Sequence, residues 1–486
     1  MSIARNATYN LIASVIPIAT SLLVLPVYIH TIGEARYGMV ALIAALVGYF
    51  GVFSLGLSPA TAQRMAAIPP DQVDERRRVF WTAVTLNSGL GLLGGMLILP
   101  VAYFYVSHGL KVEAGLRDEI LVSVWWLALA LPVSMLTGVL RGGLSGANRF
   151  FEMNVINVVV GTLSQVVPLA VAIWIAPRLT VILPALYATR VLNIACYSWV
   201  LARRVLGSWR PTFDRSKARD LLVFGGWITI SDLVSPLMTT LDRYLIGALV
   251  GLGAVSHYTV PYQMSERLLI FPEALLGAAF PRIAAAGHDE RRRLGIRNLT
   301  IVAALMGAPM VAGVVVLAPL LQLWIGTDFA RAAVTTGQVV LIGFWWNALG
   351  LVSSSWLYAA GRSRAVTFAH LAEALPYFLV LYGALHWFGT TGAAIAFGLR
   401  VGADALLLSW RAGFLATFLR LVGAWSVLFA LAFALRLPMG RPEGGAVALA
   451  LVPLLLAGAL SLYLLRDEKA ALLALLRRRT GNAQTA

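Results

Sequence analysis

The chain has 486 residues, of which 59% are hydrophobic and only 12% are charged. No polar stretch is long enough to fold as a catalytic domain; the longest, Gln63 to Val79, has about seventeen residues. A formal net charge of +16 would suggest nucleic acid in a soluble protein. Here it is explained by cations gathered in the loops on one side of a membrane, so no nucleic-acid partner is expected.

A helix needs about 20 mostly apolar residues to cross a bilayer, and its backbone polar groups must be paired within the segment. Fourteen such segments are predicted, at roughly 9–30, 37–60, 79–106, 119–141, 153–176, 181–202, 219–249, 253–280, 296–320, 335–359, 365–388, 391–412, 416–436 and 445–465. The first is too long for a signal-peptide core and has no convincing cleavage site, so it is expected to be a retained helix. Cys196, the single cysteine, allows no intrachain disulfide.

An even number of spans puts both termini on one side. Of the 38 Lys and Arg, 27 fall in the loops of the terminal side, seven in the opposite loops and four inside spans. Both termini are therefore expected in the cytoplasm. Attraction of anionic membrane lipid is a secondary role for these cations.

Two landmarks suggest an internal repeat. Thr31-Ile32-Gly33 after the first span matches Leu245-Ile246-Gly247 after the seventh, with the glycines 214 residues apart. Arg149 after the fourth span and Arg362 after the tenth are 213 apart. The fold class expected is an all-α integral membrane protein. It has about 14 transmembrane helices, in two six-helix bundles plus a C-terminal helix pair. The bundles take residues 1–204 and 205–412, the pair 413–466 and a cytoplasmic tail 467–486. Six is even, so the repeats run in the same direction, as in parallel-repeat transporters.

Ionisable groups inside spans are costly and usually face a bundle interior or a watery cavity. Arg190 is alone in the first six spans. Asp232, Asp242 and Arg243 lie in span seven; Glu266, Arg267 and Glu273 in span eight; Glu373 in span eleven; Arg400 and Asp404 in span twelve. Residues three or four apart share a helix face, so Arg400 is expected to pair with Asp404, and His370 to meet Glu373. Glu266 and Glu273 fall on one stripe. Arg190, Arg267 and Arg400 lie near mid-span and point to a cationic central cavity suited to phosphate, since Arg offers a planar fork of donors. Blander readings stand beside these. Arg400–Asp404 also reads as a self-neutralising structural pair, Asp242 and Arg243 as groups snorkelling to water, and His370 as a packing residue.

Pro17, Pro26, Pro132, Pro168, Pro236, Pro261, Pro272, Pro309 and Pro376 would bend their helices. Trp125-Trp126 and Trp345-Trp346 occupy comparable positions in spans four and ten. They read as interfacial anchors, with sugar stacking as the sharper alternative. The glycines, Gly91 to Gly95 among them, read as helix-packing positions. No Walker motif, zinc-type Cys/His spacing or His-Glu-x-x-His occurs, so no cofactor and no metal are expected.

Four motifs carry a family resemblance. They are Ile32-Gly33-Glu34-Ala35-Arg36-Tyr37-Gly38; Leu55-Gly56-Leu57-Ser58-Pro59-Ala60-Thr61; Leu241-Asp242-Arg243-Tyr244-Leu245-Ile246-Gly247 with Tyr258; and Leu323-Trp324-Ile325-Gly326 with Phe329. In order and spacing, from Met1 to about Trp410, the chain resembles bacterial polysaccharide flippases of the Wzx type. These belong to the multidrug/oligosaccharidyl-lipid/polysaccharide exporter superfamily.

The resemblance implies two six-helix bundles around a central cavity and ion-coupled alternating access, with no enzymatic activity. The implied substrate is an undecaprenyl-pyrophosphate-linked oligosaccharide, crossing the bacterial inner membrane for O-antigen, capsule or exopolysaccharide synthesis. A coupling proton or sodium ion and a polysaccharide polymerase are the implied partners. On depth, Arg190, Arg267, Arg400 and Arg243 are the expected substrate-binding residues. Asp232, Glu266, Asp404 and Glu373 are the expected ion-coupling residues. A peptidoglycan-precursor flippase, a multidrug exporter and, from another class, a membrane polymerase or ligase remain as alternatives. The mid-depth arginines disfavour an exporter of organic cations, and the short outer loops disfavour a polymerase.

Overall fold

The computed structural model describes residues 3–53, 56–112, 114–222, 234–440 and 443–466, which are helical nearly throughout, and no strand occurs among them. In order the helices are α1 (Ile3–Ile32), α2 (Glu34–Phe53), α3 (Leu57–Ala67), α4 (Val73–Phe104), α5 (Ala114–Gly146), α6 (Phe150–Trp174), α7 (Leu179–Leu201), α8 (Val234–Leu249), α9 (Leu252–Glu266), α10 (Ile270–Ala285), α11 (His288–Trp324), α12 (Thr327–Ala359), α13 (Ser363–Ala412), α14 (Leu415–Ala434) and α15 (Gly444–Leu464). Among the described residues, ten helices are long and apolar enough to cross a membrane. This is a multi-pass membrane protein. α13 has 50 residues; at 1.5 Å per residue it would run about 75 Å, more than twice a bilayer core. Its backbone breaks at Gly389 (φ 55°, ψ −137°), so the predicted spans 365–388 and 391–412 are its two arms.

The chain forms two compact units, Met1–Ser256 and His257–Ala486. In the first, Phe80, Leu140, Leu144, Tyr197 and Leu201 build a core shared by α3, α4, α5 and α7. Small residues let these backbones meet. On α5, Gly138, Gly142 and Gly146 lie one turn apart along α3. The Ser58 hydroxyl donates to the Gly138 carbonyl at 2.7 Å. A Cβ added to Gly142 would stand 2.5 Å from the Ser58 carbonyl oxygen, and one on Gly146 2.4 Å from that of Ala62. Gly91 and Gly95 do pack, against Pro132 and Ala128 of α5.

The motif at 32–38 also has a structural role. Arg36 donates through Nε and Nη2 to Glu119 Oε2, at 3.0 and 2.8 Å. The other oxygen of Glu119 accepts from the Leu179 amide, an otherwise unpaired donor in the first turn of α7.

In the second unit, Trp345 is fully buried. Its ring meets Trp425 and Phe429 at centroid distances of 6.0 and 5.4 Å, and its Nε1 donates to the Ala303 carbonyl at 3.2 Å. The anchoring reading therefore fails for Trp345, whereas Trp125, at the comparable position, is 64% exposed. Gly307 makes room for Trp425, whose ring would lie 2.3 Å from an added Cβ.

Internal geometry repeats between the units at one of the two sequence landmarks. Asn148 (φ 57°) and Gly361 (φ 72°) both take the left-handed conformation. The next amides, of Arg149 and Arg362, close six-residue turns onto the Leu144 and Leu357 carbonyls at 2.9 and 2.8 Å. The guanidinium of Arg149 reaches the Arg204 carbonyl at 3.4 Å, and that of Arg362 the Arg411 carbonyl at 3.0 Å.

A second equivalence joins Arg76, which donates to the carbonyl of Ile68, and Arg291, which donates to that of Ile283, each eight residues back. The Gly33–Gly247 landmark does not hold. Gly33 sits at a helix break with φ 83°, whereas Gly247 is inside α8, and the break after α8 is at Gly251 with φ 133°.

Arg291 also donates to the Ala284 and Ala286 carbonyls, at 3.2 and 2.8 Å. One side chain thus satisfies the end of α10, whose last carbonyls have no partner within the helix. Arg291→Ala is expected to lower stability by about 1–3 kcal/mol, with Arg291→Lys in between, as read by thermal unfolding in detergent.

Candidate functional site

The two arms of α13 fold back on each other. Gly389 provides the turn, since its backbone angles favour glycine. Near the turn the arms touch backbone to backbone: a Cβ on Gly392 would fall 1.9 Å from the Ala384 carbonyl oxygen. The returning arm is fastened to α12 at both ends. Thr336 Oγ1 lies 3.0 and 3.2 Å from the hydroxyls of Thr390 and Thr391, and Ser353 Oγ lies 2.9 Å from Ser409 Oγ.

This hairpin brings His370, Glu373 and Tyr377 of the first arm against Phe397, Arg400 and Asp404 of the second. Arg400 Nη1 stands 3.6 Å from Glu373 Oε1, and His370 Nε2 stands 3.5 Å from Asp404 Oδ1. The Arg400 guanidinium lies 5.3 Å from the Tyr377 ring centre and 5.8 Å from that of Phe397, within cation–π range. The Arg400 and Glu373 side chains are 9% and 13% exposed. Behind Asp404, α12 presents Gly350, where a Cβ would come within 3.3 Å of Oδ2.

The ion pairs run across the hairpin. This corrects the expected pairing of Arg400 with Asp404 and of His370 with Glu373, each within its own helix. The partners are also held loosely, beyond the 2.7–2.9 Å of a strong charged hydrogen bond. Arg400 Nε, Glu373 Oε1 and Asp404 Oδ1 are buried with no hydrogen-bond partner. Buried polar atoms are normally satisfied, so the quartet of His370, Glu373, Arg400 and Asp404 is incompletely bonded. The ligating atoms of His370, Glu373 and Asp404 lie within 4.8 Å of one another, close enough to share a cation. The Arg400 guanidinium beside Glu373 opposes a metal ion there, while a proton needs no such coordination shell.

The other expected site residues are not part of this quartet. Arg190 is half-buried on α7, one turn from Tyr187, whose hydroxyl donates to the Trp126 carbonyl. Among the described residues it forms no ion pair. Asp242 and Arg243 are 1% and 8% exposed, which overturns the snorkelling reading; Asp242 accepts from the Arg243 amide at 2.7 Å.

Arg267 is half-buried in the 3-10 turn Arg267–Leu269 between α9 and α10. Glu266 and Glu273 are both exposed. The 3-10 turn between them shifts the second by about 60°, from about 20° on one side of the first to about 40° on the other, so the two keep to one face as expected. Asp232 lies outside the described residues.

Tyr377 and Phe397 went unmarked in the sequence, and His370 was read as a packing residue. A signal was present. His370, Glu373 and Tyr377, and then Phe397, Arg400 and Asp404, form two stripes with the same i, i+3, i+7 spacing on either side of Gly389.

Comparison with known proteins agrees with the resemblance carried by the motifs. A protein of Shigella flexneri described as "Putative O-antigen transporter" is 28% identical over 84% of this chain and 97% of its own. "Probable flippase AglR" of Haloferax volcanii is 24% identical over 70% of this chain and 66% of its own. Among solved structures, the lipid II flippase MurJ in an inward closed conformation superposes with a TM-score of 0.71 over 96% of this chain and 99% of that one, at 12% identity. An inward-facing multidrug resistance MATE family transporter of the MOP superfamily gives 0.66 over 86% and 99%, at 16% identity. These two show a common fold. The model of the family described as "Polysaccharide biosynthesis protein" matches residues 3–286, more than half of the sequence, and the chain belongs to that family.

Proposed function

We propose that the protein is a flippase. It moves an undecaprenyl-pyrophosphate-linked oligosaccharide from the cytoplasmic to the outer leaflet of the bacterial inner membrane, for a surface polysaccharide. The observation that carries this reading is the alignment with the Shigella flexneri protein over 97% of that protein's length. Both termini are cytoplasmic in this reading, a polymerase consumes the product, and residues 1–204 and 205–412 are the repeated halves.

The α13 hairpin is the coupling element. Arg400 is permanently charged and holds Glu373 only loosely, at 3.6 Å. A pyrophosphate offers it a better bidentate partner. When Arg400 turns to the substrate, Glu373 and Asp404 lose a counter-charge, and a proton taken up with His370 restores it. Arg190, with Arg243 and Arg267, makes further anion contacts. Asp232 and Glu266 are secondary candidates for coupling.

The test is reconstitution in liposomes with a fluorescent polyprenyl-pyrophosphate oligosaccharide. Wild-type protein should equilibrate it between leaflets, faster with an imposed proton gradient than with a sodium gradient. Arg190→Ala should slow it about tenfold or more, the effect of losing a charged hydrogen bond. No wild-type translocation would reject the flippase reading, and dependence on sodium alone would reject the proton.

A further inference from the structure

At the other end of the second unit from the Arg362 turn lies an open-sided cavity of about 640 Å³. Its walls come from the first turns of α12 (Arg331, Val334, Thr335), the last turn of α14 (Phe433) and the segment that follows (Arg436, Leu437). That segment is pinned in place. The Leu437 amide donates to the Val315 carbonyl at 3.0 Å, and the Gly440 amide to Gln322 Oε1 at 2.6 Å.

We propose that this cavity binds the phosphate of an anionic phospholipid headgroup. The sequence assigns only seven cations to this side of the membrane, and in the first unit three of them are engaged by protein groups. Arg36 is held by Glu119, Lys111 by the Leu249 carbonyl and Arg117 by the Leu110 carbonyl. Two others, Arg331 and Arg436, line one cavity.

Arg436 is preset for a ligand. Its guanidinium stacks 4.2 Å from the Phe433 ring centre, and one donor binds the Phe433 carbonyl at 2.6 Å. A guanidinium has five N–H donors, so most of its fork remains. Arg331 pairs with Asp328 at 3.2 Å, but their side chains are 68% and 95% exposed, and such a pair is weak in water. Two guanidiniums and the Thr335 hydroxyl suit a phosphate. Val334, Phe433 and Leu437 offer an apolar wall to the glycerol and first methylenes of a lipid. The ends of α12 and α14 set the cavity at the membrane surface, where such a headgroup lies. The inference is independent of the transported substrate.

The experiment measures retention of phosphatidylglycerol by the purified full-length protein in native mass spectrometry, with phosphatidylethanolamine as the neutral reference and inorganic phosphate as competitor. The Arg331→Ala/Arg436→Ala double variant should lose about tenfold or more of its preference for phosphatidylglycerol. An Arg362→Ala/Arg364→Ala variant, at the opposite surface, should keep it. In wild-type protein, which removes any question of folding, a photoactivatable phosphatidylglycerol should crosslink within 331–335 and 433–439.

Unchanged preference in the double variant, or no crosslinks in those peptides, overturns the proposal. So does displacement of the lipid by inorganic phosphate at equal concentration, which would make free phosphate the ligand. Flipping is not read in this experiment, so its outcome is separable from that of the flippase reading.

Discussion

Arg400→Ala is expected to abolish translocation and to destabilise the protein by about 3–5 kcal/mol, the usual cost of stripping one partner from a buried ion pair. The large effect follows from what remains. Glu373 and Asp404 would face each other across the hairpin with no cation but an imidazole. Their side chains are 13% and 15% exposed, so water could screen them only in part. Arg400→Lys keeps the charge but loses the planar fork and the stacking between Tyr377 and Phe397, so it should fold better than it transports.

The informative companion is Arg400→Leu/Glu373→Leu. Replacing both members of a buried pair by apolar groups is often neutral, so this variant should regain most of the wild-type melting temperature while remaining inactive. Thermal unfolding in detergent and flipping in liposomes separate the two effects. Wild-type transport in the double variant would remove the hairpin from the mechanism.

Gly392→Ala is the second large effect. The new Cβ would start 1.9 Å from the Ala384 carbonyl oxygen. Because the obstacle is backbone, no rotamer change relieves it, and the arms must separate. Overpacking usually costs about 1–3 kcal/mol; here about 3 kcal/mol or more is expected, with a fall in yield of folded protein. Gly423→Ala on α14 is the control. Nothing lies within 4 Å of its added Cβ, and alanine is the better helix former by about 1 kcal/mol. A Gly392→Ala protein that melts with wild type would mean that the arms do not meet there.

Much of the architecture was legible as composition. Fourteen apolar segments, the cation asymmetry and the absence of any long polar loop identify a multi-pass helical membrane protein, because lipid leaves the backbone little choice. The repeat was half legible. The Arg149 and Arg362 turns match bond for bond, since a left-handed residue followed by Arg is a local feature. The Gly33 and Gly247 match joined a turn to a helix interior, because glycine serves both as a turn residue and as a small packing residue, as Gly247 does beneath the Tyr105 hydroxyl. Trp345-Trp346 misled for a related reason. A Trp pair in a membrane helix is an anchor or a core according to what packs on it, and Trp425 is 80 residues away in the chain.

The sequence by itself determined that Glu373, Arg400 and Asp404 belong to neighbouring helices. Helical periodicity could pair only residues three or four apart, so it joined Arg400 to Asp404 and His370 to Glu373. The tertiary structure decided the partners. One glycine with positive φ turns α13 back on itself, and an antiparallel hairpin places each residue opposite one from the other arm. That exchanges the partners, leaves the quartet loosely bonded and makes it a candidate for coupling rather than a closed structural pair.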